Sequence, residues 1–167
     1  MVQQYVDTDL AGGLARKTPV QTSAGVGDAG KIPALNSAGV IDQTMLPAVE
    51  LTTMLASESL SAGALVNIWS NAGVESARNA DGSTTGKIAD GYVLAAVTSG
   101  QTATVYMGGV DTGATGLTIG ANVYLSDVTP GLATATAPST AGHTLQRVGR
   151  ATSATSFVFD PATEVTL

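Results

Sequence analysis

A phosphate-binding loop is the first chemistry that the sequence raises, in GVGDAGK at residues 25–31. The segment matches G-x-x-x-x-G-K, which is most of the phosphate-binding loop motif. Its three glycines also match the spacing G-x-G-x-x-G. Such a loop follows a buried strand and opens a helix, so that backbone N–H groups face the phosphate. Here no apolar run precedes the glycines, Ile32 stands where Ser or Thr would bind magnesium, and Pro33 disfavours a helix. We therefore interpret these glycines as flexible points of an extended segment, and we predict no nucleotide site.

The other residues that could support catalysis or metal binding are isolated in the sequence. His143 is the only histidine, and it lies in a glycine-containing loop, where a lone histidine is usually solvated. Single aspartates in turns more often accept backbone hydrogen bonds than bind Ca²⁺, although the fold could still bring two carboxylates together. The turn aspartates are Asp81, Asp90, Asp111 and Asp127. Since the chain has no cysteine, thiol nucleophiles and zinc–thiolate sites are excluded, and we predict a non-enzymatic protein without a catalytic residue, metal or cofactor.

The composition is that of a weakly charged protein with few large core residues. Charged residues make up 12% of the 167 residues, about half the usual share, and the net charge of −6 disfavours nucleic acid, whose binding needs clustered Lys and Arg. One Trp, four Tyr and two Phe supply little large-side-chain burial, so we expect stabilisation by oligomerisation. The N-terminus, MVQQYVDTDL, is too polar for a signal peptide, and no run approaches the about 18 apolar residues of a membrane span.

Residues 1–49 are interrupted by glycine and proline and hold no sustained helical or strand period. Aliphatic residues nevertheless recur at short intervals in GKIPAL at 30–35 and GVIDQTML at 39–46. We interpret this segment as an extended N-terminal arm, suited to lying in a groove on another chain or on its own copies; a flexible leader is the alternative. The spaced aliphatic residues of the arm are Ile32, Leu35, Val40, Ile41, Met45 and Leu46.

Residues 50–167 are typical of an all-β domain. Short segments of alternating apolar and polar residues recur with turn signals roughly every 8–12 residues, which indicates a sandwich or a barrel. ELTTML at 50–55 favours a first strand over a short helix. Further strands are predicted in ALVNIWS at 64–70, VESARNA at 74–80, YVLAAVT at 92–98, TATVYMG at 102–108, LTIGANVYLS at 117–126, LATATAP at 132–138, LQRVGRAT at 145–152 and SFVFDP at 156–161. The sequence therefore predicts a small β-barrel or sandwich of about eight or nine short strands, preceded by the arm.

Several of these phrases together resemble a recurring β-domain of tailed-bacteriophage virion proteins, including capsid decoration and head-fibre proteins. They are ASESLSAGALVNIW, RNADGSTTGKIADGYVLAAVTSGQTATVYMGG, GLTIGANVYLSD, PGLATATAP and LQRVGRATSATSFVFDP. The arm sequence GDAGKIPALNSAGVIDQTMLP resembles a module that precedes such domains in phage fibres, and the resemblance covers about 140 of the 167 residues. It implies a non-enzymatic virion component, often trimeric, that binds the outside of an icosahedral shell or forms part of a fibre.

The resemblance leads to a specific expectation about function. The sequence shows neither the repetitive shaft nor the terminal receptor-binding domain of a full tail fibre, so we expect a homotrimeric protein that decorates the capsid exterior and stabilises the shell. Its expected partners are the major capsid protein and its own copies, with no nucleic acid and no membrane, and the six aliphatic arm residues are the candidate contacts. The alternative is a fibre or host-adhesion module that binds cell-surface glycans through Trp69 or tyrosines, although Trp69 and Tyr124 on strands favour a core or interface role.

Overall fold

The computed structural model is all-β, which confirms the predicted fold class. It describes residues 4–8, 13–22, 28–35, 37, 39–42, 45 and 51–167. Among these residues there is no helix, and so none with the length and apolar character needed to cross a membrane. The chain divides into two compact units, Met1–Ala48 and Val49–Leu167.

The first unit contains a short antiparallel hairpin. Strand β1 spans Tyr5–Thr8 and strand β2 spans Leu14–Lys17, with Tyr5 opposite Lys17. Further along the arm, Val20 and Pro33 form an isolated parallel bridge. The sequence analysis does not predict the hairpin, because strands of four residues leave too short a pattern to recognise.

The second unit begins with a small closed barrel of five strands. They are β3 (Leu51–Ala56), β4 (Leu65–Asn71), β5 (Val74–Asn79), β6 (Gly91–Tyr92) and β7 (Thr102–Tyr106), hydrogen-bonded in the order β3-β5-β4-β6-β7. The β3–β5 pairing is parallel, and the other pairings are antiparallel. Small and medium side chains fill the interior, among them Met54, Ala77, Ala103 and Val105, which suits the narrow interior of such a barrel.

A second sheet lies beside the barrel within the same unit. Its strands are β8 (Gly109–Asp111), β9 (Asn122–Leu125), β10 (Ala133–Thr134), β12 (Arg147–Ala151) and β13 (Phe157–Phe159), in the order β10-β9-β12-β13-β8. A two-stranded ribbon pairs β11 (Thr144–Leu145) with β14 (Val165–Thr166). Residues 51–167 thus hold twelve strands, several of only two residues, where the sequence predicts eight or nine.

The aromatic residues are concentrated in the core that the barrel shares with the second sheet. Tyr92 stacks on Tyr106 with ring centroids 5.5 Å apart, and it packs at a tilt against Phe159 at the same distance. Phe157 is fully buried in the same cluster. Four of the seven aromatic residues of the chain therefore pack together between the barrel and the second sheet, where they bury large side-chain surfaces.

Two glycines allow the backbones of the barrel and the second sheet to approach each other closely. A Cβ added to Gly63 would lie 2.3 Å from the Cα of Gly113, and the reverse is also true. No side chain fits at that distance, so both positions need glycine.

Two strand predictions are wrong over most of their length. The predicted strand at residues 132–138 retains only β10, Ala133–Thr134. The predicted strand at residues 92–98 retains only Tyr92 in β6, and Leu94, Ala95 and Ala96 are exposed. Leu60 and Val97 exchange backbone hydrogen bonds of 2.8 and 2.9 Å, which fix the far end of this segment as an isolated bridge. The segment bends at Leu94 and Ala95, so that Val93 and Val97 pack in the barrel core and the residues between them are exposed.

Candidate interaction surfaces

The aliphatic residues of the arm are largely exposed. The exposed fractions are 50% for Ile32, 56% for Leu35, 54% for Val40 and 44% for Ile41. Met45 is half-buried, and Leu46 lies outside the described residues. Of the six predicted contact residues, at least four therefore present apolar surface that the described part of the chain does not cover.

The backbone that carries two of these residues is hydrogen-bonded to an earlier part of the arm. The N–H of Val20 donates to the carbonyl of Ile32 at 3.1 Å, and the N–H of Ala34 donates to the carbonyl of Val20 at 2.7 Å. The side-chain amide of Gln21 donates to the carbonyl of Leu35 at 2.9 Å. Pro33 suits the centre of this bridge, because the pairing uses its two neighbours and needs no N–H from the proline. Ile32 and Leu35 are thus exposed on a locally fixed backbone.

Lys31 of the phosphate-loop pattern forms an ion pair within the arm. Its ammonium group lies 2.6 Å from a carboxylate oxygen of Asp28. The backbone N–H of Lys31 also donates to the backbone carbonyl of Asp28 at 3.1 Å. Gly25 and Gly27 lie outside the described residues. The residues after Lys31 enter the bridge at Pro33 and not a helix, so the structural context of a phosphate loop is not found in the described part of this segment.

An open groove of about 470 Å³ lies on the outer face of the barrel. Its lining consists of residues 94–98, Gln101, Thr102, Thr104 and Tyr106. On β7, Ala103 and Val105 are buried inside the barrel, so the alternating residues Thr102, Thr104 and Tyr106 face outward and form the floor of the groove. The wall is the segment 94–98, whose composition predicts a strand, so the sequence carries no signal for this surface.

The floor of the groove continues across β3. Leu51, Thr53 and Leu55 stand opposite Tyr106, Thr104 and Thr102, respectively, and so share their face of the sheet. Leu51 is 40% exposed, Leu55 is 37% exposed and Leu94 in the wall is 43% exposed. We define the groove face by its exposed members: Leu51, Thr53, Leu55, Leu94, Thr102 and Thr104.

Trp69 is engaged by the protein's own side chains. The guanidinium carbon of Arg78 lies 4.5 Å from the centroid of the Trp69 ring, and the indole N–H donates to the hydroxyl of Ser57 at 3.1 Å. Arg78 also donates to the side-chain carbonyl of Asn67 at 2.9 Å. One face and the N–H group of Trp69 are therefore already occupied, which argues against an open sugar platform at this residue.

Asp90 extends the same polar network toward the interior. The amide group of Asn67 donates to Asp90 Oδ2 at 2.9 Å, and the N–H of Ile68 donates to the same oxygen at 2.8 Å. Burial raises the pKa of Asp90 above its usual value, and these two donors offset only part of that effect. The network holds β4 against the segment before β6, which is a structural role.

Asp81 accepts a backbone hydrogen bond, as expected for a turn aspartate, whereas Asp127 contacts the side chain of His143, which the sequence does not predict. Asp81 accepts hydrogen bonds from the N–H of Ser83 at 2.9 Å and from its hydroxyl at 2.6 Å. Burial raises the pKa of Asp81, but the Ser83 donors and the charge of Lys87 outweigh burial and leave the pKa below its usual value. Asp127 lies 3.0 Å from Nδ1 of His143. Among the described residues, no group of three or more His, Asp or Glu side chains could hold a metal ion.

Asp111 is the most unusual ionisable residue of the domain. It is completely buried at the end of β8, where Oδ1 accepts a hydrogen bond of 2.8 Å from the N–H of Gly113 and Oδ2 has no protein partner. Burial raises the pKa of Asp111 from 3.8 to about 6. Burial and then the nearby Asp111 charge raise the pKa of Tyr92 to about 12, and its hydroxyl donates to the carbonyl of Gly108 at 3.1 Å. Because Asp111 has no exposed surface, its ionisation affects the stability of the domain, and its carboxylate does not line an open site.

Comparison with protein-family models, with curated proteins and with solved structures finds no match for this chain. A function therefore has to be inferred from its own residues and their arrangement. Two of the surfaces that offer apolar contact area in the described part of the chain are the arm around Ile32 and Leu35 and the groove face of the barrel.

Proposed function

We propose that the protein is a structural component of a tailed-phage virion, which decorates the outside of the capsid as a homotrimer and stabilises the shell. In this proposal the exposed aliphatic residues of the arm contact the major capsid protein or the arms of neighbouring copies. The β-domain serves as a compact body without a catalytic role. The resemblance to phage decoration and head-fibre proteins motivates the proposal.

The observation that carries the proposal is the exposure of aliphatic side chains on a hydrogen-bonded arm backbone. Four such residues are between 44% and 56% exposed. Covering the exposed half of each would contribute about 1 kcal/mol, or about 4 kcal/mol for one arm. Because the backbone at Ile32 and Leu35 is already held by hydrogen bonds, less ordering entropy opposes binding there.

A contribution of this size makes a single arm a weak binder. Association loses translational and rotational freedom, which opposes binding by at least about 4 kcal/mol. Three linked arms change that balance, since the second and third arms bind at a high effective concentration once the first is bound. The proposal therefore couples capsid binding to the trimer.

Capsid binding by a full-length arm variant tests the proposal. The variant combines Ile32→Ser, Leu35→Ser and Ile41→Ser, and its matched control combines the exposed polar changes Thr22→Ala and Ser37→Ala. Both proteins are mixed with capsids of the encoding phage that were prepared without this protein, and co-sedimentation is measured. We expect the control to bind like the wild type and the aliphatic variant to lose binding by at least about tenfold. Full binding by the aliphatic variant would contradict the role of the arm.

A host-adhesion function has less support, because Trp69 is covered by Arg78 on one face. Glycan-array binding by the full chain is the direct measurement for this alternative. Binding that Trp69→Ala abolishes, together with unchanged capsid binding by the arm variant, would favour adhesion over decoration.

A further inference from the structure

We propose that the groove face is the surface through which copies of this chain associate, and that its occupant is the groove face of a neighbouring copy, with the faces of the three copies meeting around the threefold axis of the proposed trimer. The inference deepens the proposed function and rests on it for the assumption of a homo-oligomer. It adds the location of the contact, on the outer surface of β3 and β7 and the segment between β6 and β7.

The first argument concerns charge. The chain has a net charge of −6, so two copies repel each other unless they meet where carboxylates are absent. None of the residues that line the groove is ionised at neutral pH, and neither are Leu51, Thr53 and Leu55 beside them. Depletion of charged residues is also the compositional mark of the centre of a protein interface. An uncharged face on an acidic protein fits a second copy better than it fits a basic partner.

The second argument concerns apolar exposure and shape. Leu51, Leu55 and Leu94 are 37–43% exposed around a concave floor of threonines. Apolar side chains beside a groove offer both a projection and a depression, so that the projection of one copy can enter the depression of the next copy around a threefold axis. The cross-strand pair of Thr53 and Thr104 adds hydroxyl groups that can donate or accept across such a contact.

The second sheet provides a contrast on the same domain. Val158 on β13 is 41% exposed and stands opposite Val110, so it is also an apolar surface residue. On its other side, however, Val158 stands opposite Arg150 of β12. This exposed valine therefore lies next to a cation, and the groove face has no such neighbour among its lining residues.

The third argument concerns the connection to the arm. Leu51 begins β3 and belongs to the groove face, and β3 is the first strand after the unit Met1–Ala48. Association through this face brings together the N-terminal ends of β3 from different copies. The points where the arms join their domains then lie near one another, as shared binding by linked arms requires.

The test compares two substitutions in the full-length chain, Leu94→Glu and Val158→Glu, which replace side chains of 43% and 41% exposure. Mass is measured by light scattering and sedimentation over a range of concentrations, and folding is checked by circular dichroism. We expect a wild-type oligomer, at least about tenfold weaker self-association for Leu94→Glu, and no change for Val158→Glu, where the new carboxylate faces Arg150. Loss of the oligomer in Val158→Glu with retention in Leu94→Glu would overturn the inference.

A second measurement keeps the inference testable if Leu94→Glu does not fold. The chain has no cysteine, so Leu94→Cys and Val158→Cys each introduce a single thiol. Under mild oxidation we expect disulfide-linked pairs from position 94 and none from position 158, and the reverse result would overturn the inference.

The inference and the proposed function fail in different experiments. An oligomer that Leu94→Glu leaves unchanged overturns the association face and leaves the proposed function in place, whereas a wild-type protein that is monomeric at all concentrations contradicts both. An intact oligomer that fails to bind capsids overturns the proposed function and leaves the association face in place.

Discussion

The arm and the β-domain place the same kinds of side chain in opposite surroundings. Leu35 and Ile32 of the arm are half exposed, whereas Leu65 and Val105 of the domain have no exposed surface. Within the domain, the buried aliphatic residues pack between its own strands. In the proposed function, this exposed surface of the arm contacts another molecule.

The same truncation at two leucines gives the largest expected contrast. Leu65→Ala removes a fully buried side chain, and we expect it to lower the free energy of unfolding of the domain by about 3 kcal/mol. Leu35→Ala removes a side chain that is 56% exposed, and we expect a change of under about 0.5 kcal/mol. Urea denaturation of both variants measures the two values. Similar destabilisation by the two changes would contradict the claim that Leu65 stabilises the fold and Leu35 does not.

A second prediction concerns the contact between the two glycine backbones of the domain. Gly113→Ala places a Cβ 2.3 Å from the Cα of Gly63, so we expect destabilisation by about 3 kcal/mol. Gly108→Ala is the matched control, since a Cβ there meets no atom within 4 Å. The urea midpoints of the two variants should differ strongly, and equal midpoints would show that the two layers are free to separate.

A third prediction uses the pH dependence of stability. The pKa of Asp111 is raised from 3.8 in the unfolded chain to about 6 in the folded domain, so the folded state binds more protons between these values. The stabilising contribution of Asp111 to the free energy of unfolding is therefore complete below pH 3.8. It is lost as the pH rises through 6, and the total loss is about 3 kcal/mol.

Asp111→Asn isolates this contribution. Denaturation of the wild type and of the variant is measured at several pH values, and the difference between their unfolding free energies is plotted against pH. We expect the variant to gain stability relative to the wild type as pH rises from 4 to 7. A difference that does not change with pH would show that Asp111 is solvated.

The smallest effect is expected at a buried amide that joins two distant parts of the domain. Gln146 accepts a hydrogen bond from the N–H of Ala89 at 2.7 Å and donates to its carbonyl at 3.1 Å. Gln146→Leu leaves both backbone groups buried without a partner, so we expect destabilisation by about 2 kcal/mol. Hydrogen exchange at the Ala89 amide should also accelerate, and an unchanged exchange rate would show that the amide group does not protect it.

Local patterns predicted the parts of the fold that depend on neighbouring residues. The alternation in 102–108 correctly placed β7, because exposed and buried residues alternate along this strand. The segments 64–70 and 74–80 correctly placed β4 and β5, although burial does not alternate along either strand. Strands of two residues, such as β6 and β11, leave no pattern of that length. The segment 92–98 looked like a strand by composition, and only its tertiary surroundings show that Leu94 faces outward.

The features that depend on distant residues could not be predicted. Asp111 looked like a turn aspartate, and its burial follows from strands that are remote in the sequence. The approach of Gly63 to Gly113 likewise joins two loops that no local signal connects. The candidate contacts Ile32, Leu35 and Ile41 stay predictions from their spacing, and the structure adds that all three are exposed.

Solvent access to Leu35 in the assembled particle is the most direct test of the central claim. Because the chain lacks cysteine, Leu35→Cys provides a single reactive thiol, and its rate of labelling by a maleimide is compared between the free protein and purified particles that carry it. The account predicts fast labelling of the free protein and strong protection in the particle. Equal labelling rates in the two states would contradict it.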